Sequence, residues 1–422
     1  MLDIKFVREN KEIVAEALRK RRSKFDLNRL LRLDVEKRRL LGEVEAARAE
    51  QNKTSESIRS LTGEERALVL SKMKTLKEEL SANEEQLKKT EHDFNRLIRT
   101  LPNIPDPAVP EGDSEDDNVE IRKVGDSPKF NFTARDYMTL LTENDLIDFE
   151  RGVKVSGFRG YFLKNEAVLL SMGLWQFAMD FLVKKGFTPF AAPALIREDI
   201  YIGSGKLPLF KDDLYATDDD LYLSSTAEVP MMGYHSDEIL NESELPKKFV
   251  AISSCYRREA GAHGKDTRGL FRVHEFMKIE QVVLCKAEYQ ESVKWHEELT
   301  QYSEDMLKAL GIPYRVVINS TGDLPFAAVK MYDIESWVPS ENRYRESHSS
   351  SIIRDFQTRR LNIRYRGEDG KVRFAHSLNN TAIATPRILH SLLEIYQNAD
   401  GSITVPEALR KFVGKEVIGP RK

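Results

Sequence analysis

Between Leu27 and Leu101 the chain has no proline and only two glycines, Gly42 and Gly63, while Lys, Arg, Glu, Leu and Ala crowd the remaining positions. These are strong helix formers, and the two residues that break helices are nearly absent. In the second half of this stretch Val69, Met73, Leu76, Leu80, Asn83, Leu87, Thr90, Phe94, Leu97 and Leu101 follow one another in steps of four and three. A seam with that period stays on one side of a helix and needs a partner helix to cover it. A weaker seam runs through Leu30, Leu33, Leu40, Val44, Ala47 and Ile58. Between the two, Thr62-Gly63-Glu64-Glu65 reads as a break followed by a capping box. The pattern predicts an antiparallel two-helix coiled-coil arm, roughly 30 residues per helix and on the order of 45 Å long.

From Lys20 to Thr100 the arm carries a net charge of +5, against −3 for the whole chain, so the rest is acidic. A solvated coiled-coil surface explains such a balance. So does a grip on a phosphate backbone through Lys20, Arg21, Arg22, Lys24, Arg29 and Arg32, and charge alone leaves both readings open. The segment from Leu101 to Pro110 holds four prolines and runs into the acidic stretch Glu111–Asp117, which marks a linker. The expected organisation is therefore an N-terminal domain over residues 1–101 with its arm at about 27–101, a linker at 102–119, and a body at 120–422. Strand and helix patterns in the body are mixed rather than alternating, which favours an α+β fold around a largely antiparallel sheet.

Composition excludes several classes. With 422 residues the chain can bury a core without disulfides or structural metal. Its two cysteines, Cys255 and Cys285, form no CxxC pair, which argues against a disulfide scaffold and a zinc ribbon. The start, Met1-Leu2-Asp3-Ile4-Lys5, does not read as a signal or transit peptide. The longest apolar stretch, Val168 to Val183, contains Asp180 and falls short of the roughly 20 residues of a membrane helix. A cytoplasmic location, with no membrane partner, is expected.

Candidate chemistry clusters in the body. From Leu270 to Leu284 the odd positions (Phe271, Val273, Glu275, Met277, Ile279, Gln281, Val283) are mostly apolar, and the even ones are Arg272, His274, Phe276, Lys278 and Glu280. Period-two alternation predicts a strand with one face in the core. A second strand is expected over Ala251–Glu259, ending in Cys255-Tyr256-Arg257-Arg258-Glu259, with a glycine-rich loop over 260–269 between them. Arginines beside an aromatic ring suit a phosphate-bearing heterocycle. Near the C-terminus Phe374–Leu378 reads as a strand, and Asn379, Asn380 and Thr381 follow it. Thr385 then caps a helix with Pro386 at its first position. Arg387 in that first turn opposes the helix dipole, which makes sense where an anion sits. Thr226 and Glu228 fall at a strand-to-helix turn, and Glu346 could hold a magnesium ion. Gly203-Ser204-Gly205-Lys206 is not a phosphate loop, because Leu207 stands where Ser or Thr is required.

Taken together, these residues resemble the bacterial-type seryl-tRNA synthetases, a family of class II aminoacyl-tRNA synthetases. Motif 1 resembles Leu169–Val183 with Gly186–Pro193, motif 2 Cys255–Gly261 through Asp266–Gly269 to Phe276, and motif 3 Leu378–Arg387. The arm and the Thr226-Ala227-Glu228 element complete the match over the full length. The resemblance implies a class II antiparallel sheet flanked by helices, with the coiled-coil arm in front. It implies that serine and ATP give seryl-adenylate and pyrophosphate, and that serine then passes to the 3′ end of tRNA(Ser), with tRNA(Sec) a further family substrate.

By the same resemblance Arg257 bridges the serine carboxylate and the α-phosphate. Glu259 meets the adenine amino group, Phe276 stacks on the adenine, Arg272 and Arg387 hold phosphates, and Glu346 with Ser349 binds Mg²⁺. Thr226, Glu228 and Glu280, with Asn379 and Thr381, would form the serine pocket. The arm would read tRNA(Ser), and the family expectation is a homodimer. Two departures stand out: His274-Glu275-Phe276 where His-Gln-Phe is usual, and Ser349-Ser350-Ser351-Ile352-Ile353 in place of a Ser-Cys-Ser-Asn-Phe type run. The competing readings are an amino acid:carrier-protein ligase on the same fold and an inactive tRNA-binding paralogue.

Overall fold

The computed structural model describes residues 1–58, 61–261, 266 and 269–420. Residues 262–265, 267 and 268, part of the loop read as motif 2, lie outside the described residues. The chain divides into two compact units, one of Leu2–Arg19 and Ser23–Pro102, the other of Met1, Lys20–Arg22 and Asn103–Lys422.

In the first unit two short helices, α1 (Ile4–Glu9) and α2 (Lys11–Lys20), precede the long helices α3 (Leu27–Ser57) and α4 (Gly63–Ile98). Asp26 caps α3 by accepting from the Arg29 amide. The two long helices pair antiparallel, since Lys37 meets Glu91 at 3.4 Å while Arg48, further out, meets Glu84 at 2.7 Å. Leu80, Thr90 and Phe94 are buried in the seam, as are Leu30, Leu40 and Val44 opposite. Toward the tip Val69, Met73 and Leu76 are only half-buried, because two helices alone can cover no more than a stripe. Asp34 is a charge in that seam, buried and paired with Arg8 and Arg38 at 3.3 and 3.2 Å. Thr62 is the N-cap of α4 but makes no side-chain cap bond, so the expected capping box does not form.

The second unit is built on an eight-stranded sheet. In chain order its strands are β1 (Val119–Val124), β2 (Thr188–Ala191), β3 (Lys247–Tyr256), β4 (Glu275–Cys285), β5 (Tyr314–Ile318), β6 (Lys330–Val338), β7 (Arg343–Arg354) and β8 (His376–Ala384). Their spatial order is β1-β5-β6-β7-β8-β4-β3-β2, and every pairing is antiparallel except β2 with β3. One face is covered by α5 (Glu166–Lys184), α6 (Tyr289–Ala309) and α7 (Thr385–Ile395). Leu170, Leu174, Ala178 and Leu182 of α5 recur every four residues and are fully buried against Ile279, Val283 and the α7 leucines. Each leucine buried this way contributes about 1.5–3 kcal/mol. Thus α5, long and apolar enough to cross a membrane, spends its apolar stripe on the core.

Four expectations need correction. Strand β4 begins at Glu275, not Leu270, so the alternation holds for Glu275–Leu284 and fails upstream. Phe271, expected in the core, instead lines the site, while Val273 is buried in the core. The C-terminal strand extends through Asn379, Asn380 and Thr381 to Ala384, because neighbours on both sides pair the weak strand formers Asn379 and Asn380. Ala384 is then the N-cap of α7 and Pro386 its second residue. The Thr385 hydroxyl, not free to cap, accepts from Trp175 Nε1 and donates to Met277 O.

Candidate active site

The opposite sheet face, packed at one end against Met231, Met232 and Leu361, holds the candidate residues. Two register shifts aim them: one between Ile334 and Glu335 of β6, opposite His348 and Glu346, and one between Thr381 and Ile383 of β8. Such bulges turn a side chain out of the regular pleat. Two adjoining cavities open there, of about 900 and 70 Å³, and both are lined by Arg257, Phe271, Lys278, Glu346 and Ser349. Thr226, Glu228, Arg272, Glu280 and Asn379 line the larger one, and Glu259, Phe276, Thr381 and Arg387 the smaller. All twelve sequence candidates are therefore brought together. Glu275 is exposed and lines neither cavity.

At one end lies a polar pocket. Lys278 and Glu280, two apart on β4, share a face, are buried and form an ion pair. The Lys278 ammonium also donates to Thr226 Oγ1 at 2.9 Å, and the Glu228 amide donates to the same oxygen at 3.2 Å. Glu228 Oε1 accepts from Asn379 Nδ2 at 2.9 Å and Gln357 Nε2 at 2.8 Å. Thr381 is buried on β8 directly opposite Glu280. Burial pushes the Glu280 carboxyl up, with Lys278 opposing. Such a pocket offers acceptors and donors at short range to a small zwitterion.

Arg257 stands between this pocket and the rest. Its Nε donates to Ser225 O at 3.2 Å, and its guanidinium lies 5.3 Å from the Phe276 ring centre. Beyond it Glu259, held at a left-handed backbone (φ 53°), meets Arg272 Nη1 at 3.3 Å. Arg272 also pairs with Asp266 at 3.2 Å, and Asp266 pairs with Arg345 at 2.6 Å. Phe271 has the Arg345 guanidinium 3.8 Å and the Arg387 guanidinium 4.9 Å from its ring centre. Arg387 Nη1 donates to Glu346 Oε1 at 2.6 Å. Burial would raise the Glu346 carboxyl, but Arg387, with Arg257 and Arg272 adding to it, outweighs burial and holds the group below the usual range. These four arginines and two phenylalanine rings thus surround the adjoining cavities, which suits a nucleotide polyphosphate.

Among the described residues no group of three His, Cys, Asp or Glu is disposed to hold a metal. Glu346 and Ser349 supply one carboxylate and one hydroxyl, and Asp333, across from Ser349 on β6, has a buried Oδ1 with no partner. Mg²⁺ fits so sparse a donor set, because it takes most of its ligands from water and substrate phosphates. The Gly203–Lys206 run ends a short helix, with Gly205 left-handed (φ 86°), and so presents no helix N-terminus to a phosphate.

Sequence reasoning placed Lys278 on the candidate face without giving it a role, and missed Phe271, Arg345 and Gln357 as site residues. Lys278 was legible, since it shares strand parity with Glu280. Phe271 was not, because the parity that assigned it ends at Glu275.

Comparison with known proteins agrees with this geometry. The family model "Seryl-tRNA synthetase N-terminal domain" matches residues 1–105, and "tRNA synthetase class II core domain (G, H, P, S and T)" matches residues 210–396. The chain is 47% identical over 421 residues to a serine--tRNA ligase of Deinococcus radiodurans, covering 99% of each chain. A serine--tRNA ligase of Dictyoglomus turgidum is 42% identical over 427 residues, covering all of both chains. The crystal structure of the Pyrococcus horikoshii seryl-tRNA synthetase complexed with ATP superposes with a TM-score of 0.93 at 40% identity over the whole of both chains. That of the Naegleria fowleri cytoplasmic serine-tRNA ligase with AMP gives 0.87 at 33%, covering 100% of this chain and 99% of that one. Arm, sheet and convergent arginines are therefore those of a known enzyme class, and the chain belongs to the seryl-tRNA synthetase family of class II aminoacyl-tRNA synthetases, the serine--tRNA ligases.

Proposed function

We propose that serine is activated at the junction of the two cavities, with Arg257 as the pivot. The observation that carries this reading is the place of Arg257, which lines both cavities between the Thr226–Glu228–Glu280 pocket and the Phe276–Glu259–Arg387 space. Serine sits with its ammonium and hydroxyl on Thr226, Glu228 and Glu280, closed in by Asn379 and Thr381. ATP lies with its adenine on Phe276 and its amino group toward Glu259, while Arg272 and Arg387 take the distal phosphates.

A serine carboxylate oxygen attacks the α-phosphorus in line. The new P–O bond forms as the bond to pyrophosphate breaks, and the electron pair leaves with pyrophosphate. Arg257 neutralises charge on the attacking carboxylate and the α-phosphate, so catalysis here is positioning and charge stabilisation rather than covalent chemistry. Mg²⁺ on Glu346 and Ser349 would supply further charge neutralisation at the phosphates. In the second step a hydroxyl of the tRNA 3′-terminal ribose attacks the seryl carbonyl and AMP leaves.

Residues 1–101 form the tRNA-binding domain, whose arm (about 27–101) reads tRNA(Ser), and tRNA(Sec) where present, by shape and phosphate contact. Residues 102–119 are a linker and 120–422 the catalytic domain. A homodimer working in the cytoplasm completes the reading.

The test is to incubate the purified protein with ATP, Mg²⁺, total tRNA and labelled serine, threonine, alanine or glycine in turn. Label is expected on tRNA with serine alone. Serine-dependent pyrophosphate exchange without charging would point to a carrier-protein ligase, and silence in both assays to a tRNA-binding paralogue.

A further inference from the structure

Lys278 is a buried cation in the pocket that must receive another cation, the ammonium of serine, and no role in the reaction has been given to it above. Its position is specific. On one side its Nζ donates to Thr226 Oγ1 at 2.9 Å, and on the other it pairs with Glu280. A hydroxyl oxygen has two acceptor sites and one hydrogen. At Thr226 both acceptor sites are taken, one by Lys278 and one by the Glu228 amide at 3.2 Å. The hydrogen is left to donate into the cavity that Thr226, Lys278, Glu228 and Glu280 line. Glu280 is buried, with the like charge of Glu228 nearby, and both features favour its neutral form. Among the described residues Lys278 and Arg257 are cations that act on it, and the buried Cys255 thiol is a further titratable neighbour.

We propose that Lys278 is the positioning residue of the serine pocket, fixing Thr226 as a hydrogen-bond donor to the substrate and Glu280 as a charged acceptor for it. The inference rests on the serine-pocket reading above and deepens it. Without Lys278 the Thr226 hydroxyl is free to turn its hydrogen away from the substrate, and Glu280 can take up a proton. The pocket then loses its preference for an ammonium beside a hydroxyl.

The experiment measures serine-dependent pyrophosphate exchange in the full-length protein with Lys278→Met, Lys278→Arg, Glu280→Gln and the double variant Lys278→Met/Glu280→Gln. Lys278→Met is expected to raise KM for serine by ~10- to 100-fold, the range for a lost charged hydrogen bond, and to leave KM for ATP within about twofold. Its kcat/KM for serine should also gain a rising limb on the acid side, absent in the wild type, as the Glu280 carboxyl ionises. Lys278→Arg, which keeps charge and donors, should restore most of the loss. In the Glu280→Gln background Lys278→Met should cost much less than it does alone, because part of its action passes through Glu280. Where the methionine variant does not fold, Lys278→Gln, which keeps a donor and drops the charge, takes its place with the same expected pH limb.

An unchanged KM for serine in Lys278→Met, or a fall in kcat alone with no change in pH profile, overturns the inference. An unchanged KM for serine in Glu280→Gln would instead overturn the pocket assignment on which it rests.

Discussion

Arg387, in the first turn of α7, donates from Nη1 to Glu346 Oε1 at 2.6 Å, tying the start of that helix to the bulged stretch of β7. A cation at a helix N-terminus is unfavourable on its own. Here Glu346 compensates it from below, and Phe271 covers its guanidinium at 4.9 Å. The arrangement holds a positive charge ready, partly desolvated, at a place where negative charge would arrive with a nucleotide.

Arg387→Ala should therefore lower serine-dependent pyrophosphate exchange by about two to three orders of magnitude, the usual cost of a preorganised donor to a transition state. Arg387→Lys should recover little, since an ammonium neither stacks on Phe271 nor offers a planar fork. Exchange at the wild-type rate in Arg387→Ala would contradict the role.

The arm can be shortened where its helices already touch. Lys37 and Glu91 lie 3.4 Å apart across the seam, so a short Gly/Ser loop can replace residues 38–90 without straining the base. The shortened protein should form adenylate at the normal rate and fail to charge tRNA. In the full-length protein the KM for tRNA should rise steeply with salt, as phosphate contacts require. Unchanged charging by the shortened form would remove the arm from tRNA recognition.

Asn379 and Gln357 both donate to Glu228 Oε1, at 2.9 and 2.8 Å, and so fix which way that carboxylate faces. A pocket built to bond a hydroxyl rejects an analogue without one, because its own polar groups are left unpaired. Asn379→Ala should raise KM for serine about tenfold and narrow the preference for serine over alanine. The check is exchange kinetics with both amino acids. An unaltered serine-to-alanine ratio would mean that Glu228 needs no such support.

Three histidines are held neutral inside the second unit. Burial pushes His296 down to about 3, and His348 and His376 to about 4. In the unfolded chain a histidine titrates near 6.5. Above that pH neither state is protonated and the stability is fully present. As pH falls toward 4 and then 3, the unfolded chain binds protons that the folded one refuses, and about 1.4 kcal/mol is lost per pH unit for each histidine. Urea midpoints should accordingly decline from neutral pH to about pH 5.5, and His296→Gln should flatten the decline. A midpoint independent of pH across that interval would contradict this.

Much of the architecture was legible because it rests on local periodicity. The seam through Leu80, Thr90 and Phe94 is buried where the heptads place it, and Ile279 and Val283 face the core as their alternation requires. What the sequence hid was set by contacts from distant segments. Asn379 and Asn380 are poor strand formers, yet β7 and β4 hold them in the sheet. Phe271 sits on irregular chain, where Arg345 and Arg387 decide its direction and parity says nothing. The residues carried by the family resemblance, Arg257, Glu259, Phe276 and Arg387 among them, do converge on one cavity system. Lys278 carried no such label, and its partners Thr226 and Glu280 emerge only from the fold.

The most direct test is single-turnover formation of seryl-adenylate by Arg257→Ala, followed with labelled ATP and serine in the absence of tRNA. Arg257 lines both halves of the proposed reaction centre and is placed there to meet the attacking carboxylate and the α-phosphate, so its loss should slow this step by about two to three orders of magnitude while the protein stays folded. Adenylate formed at the wild-type rate would contradict the account at its centre.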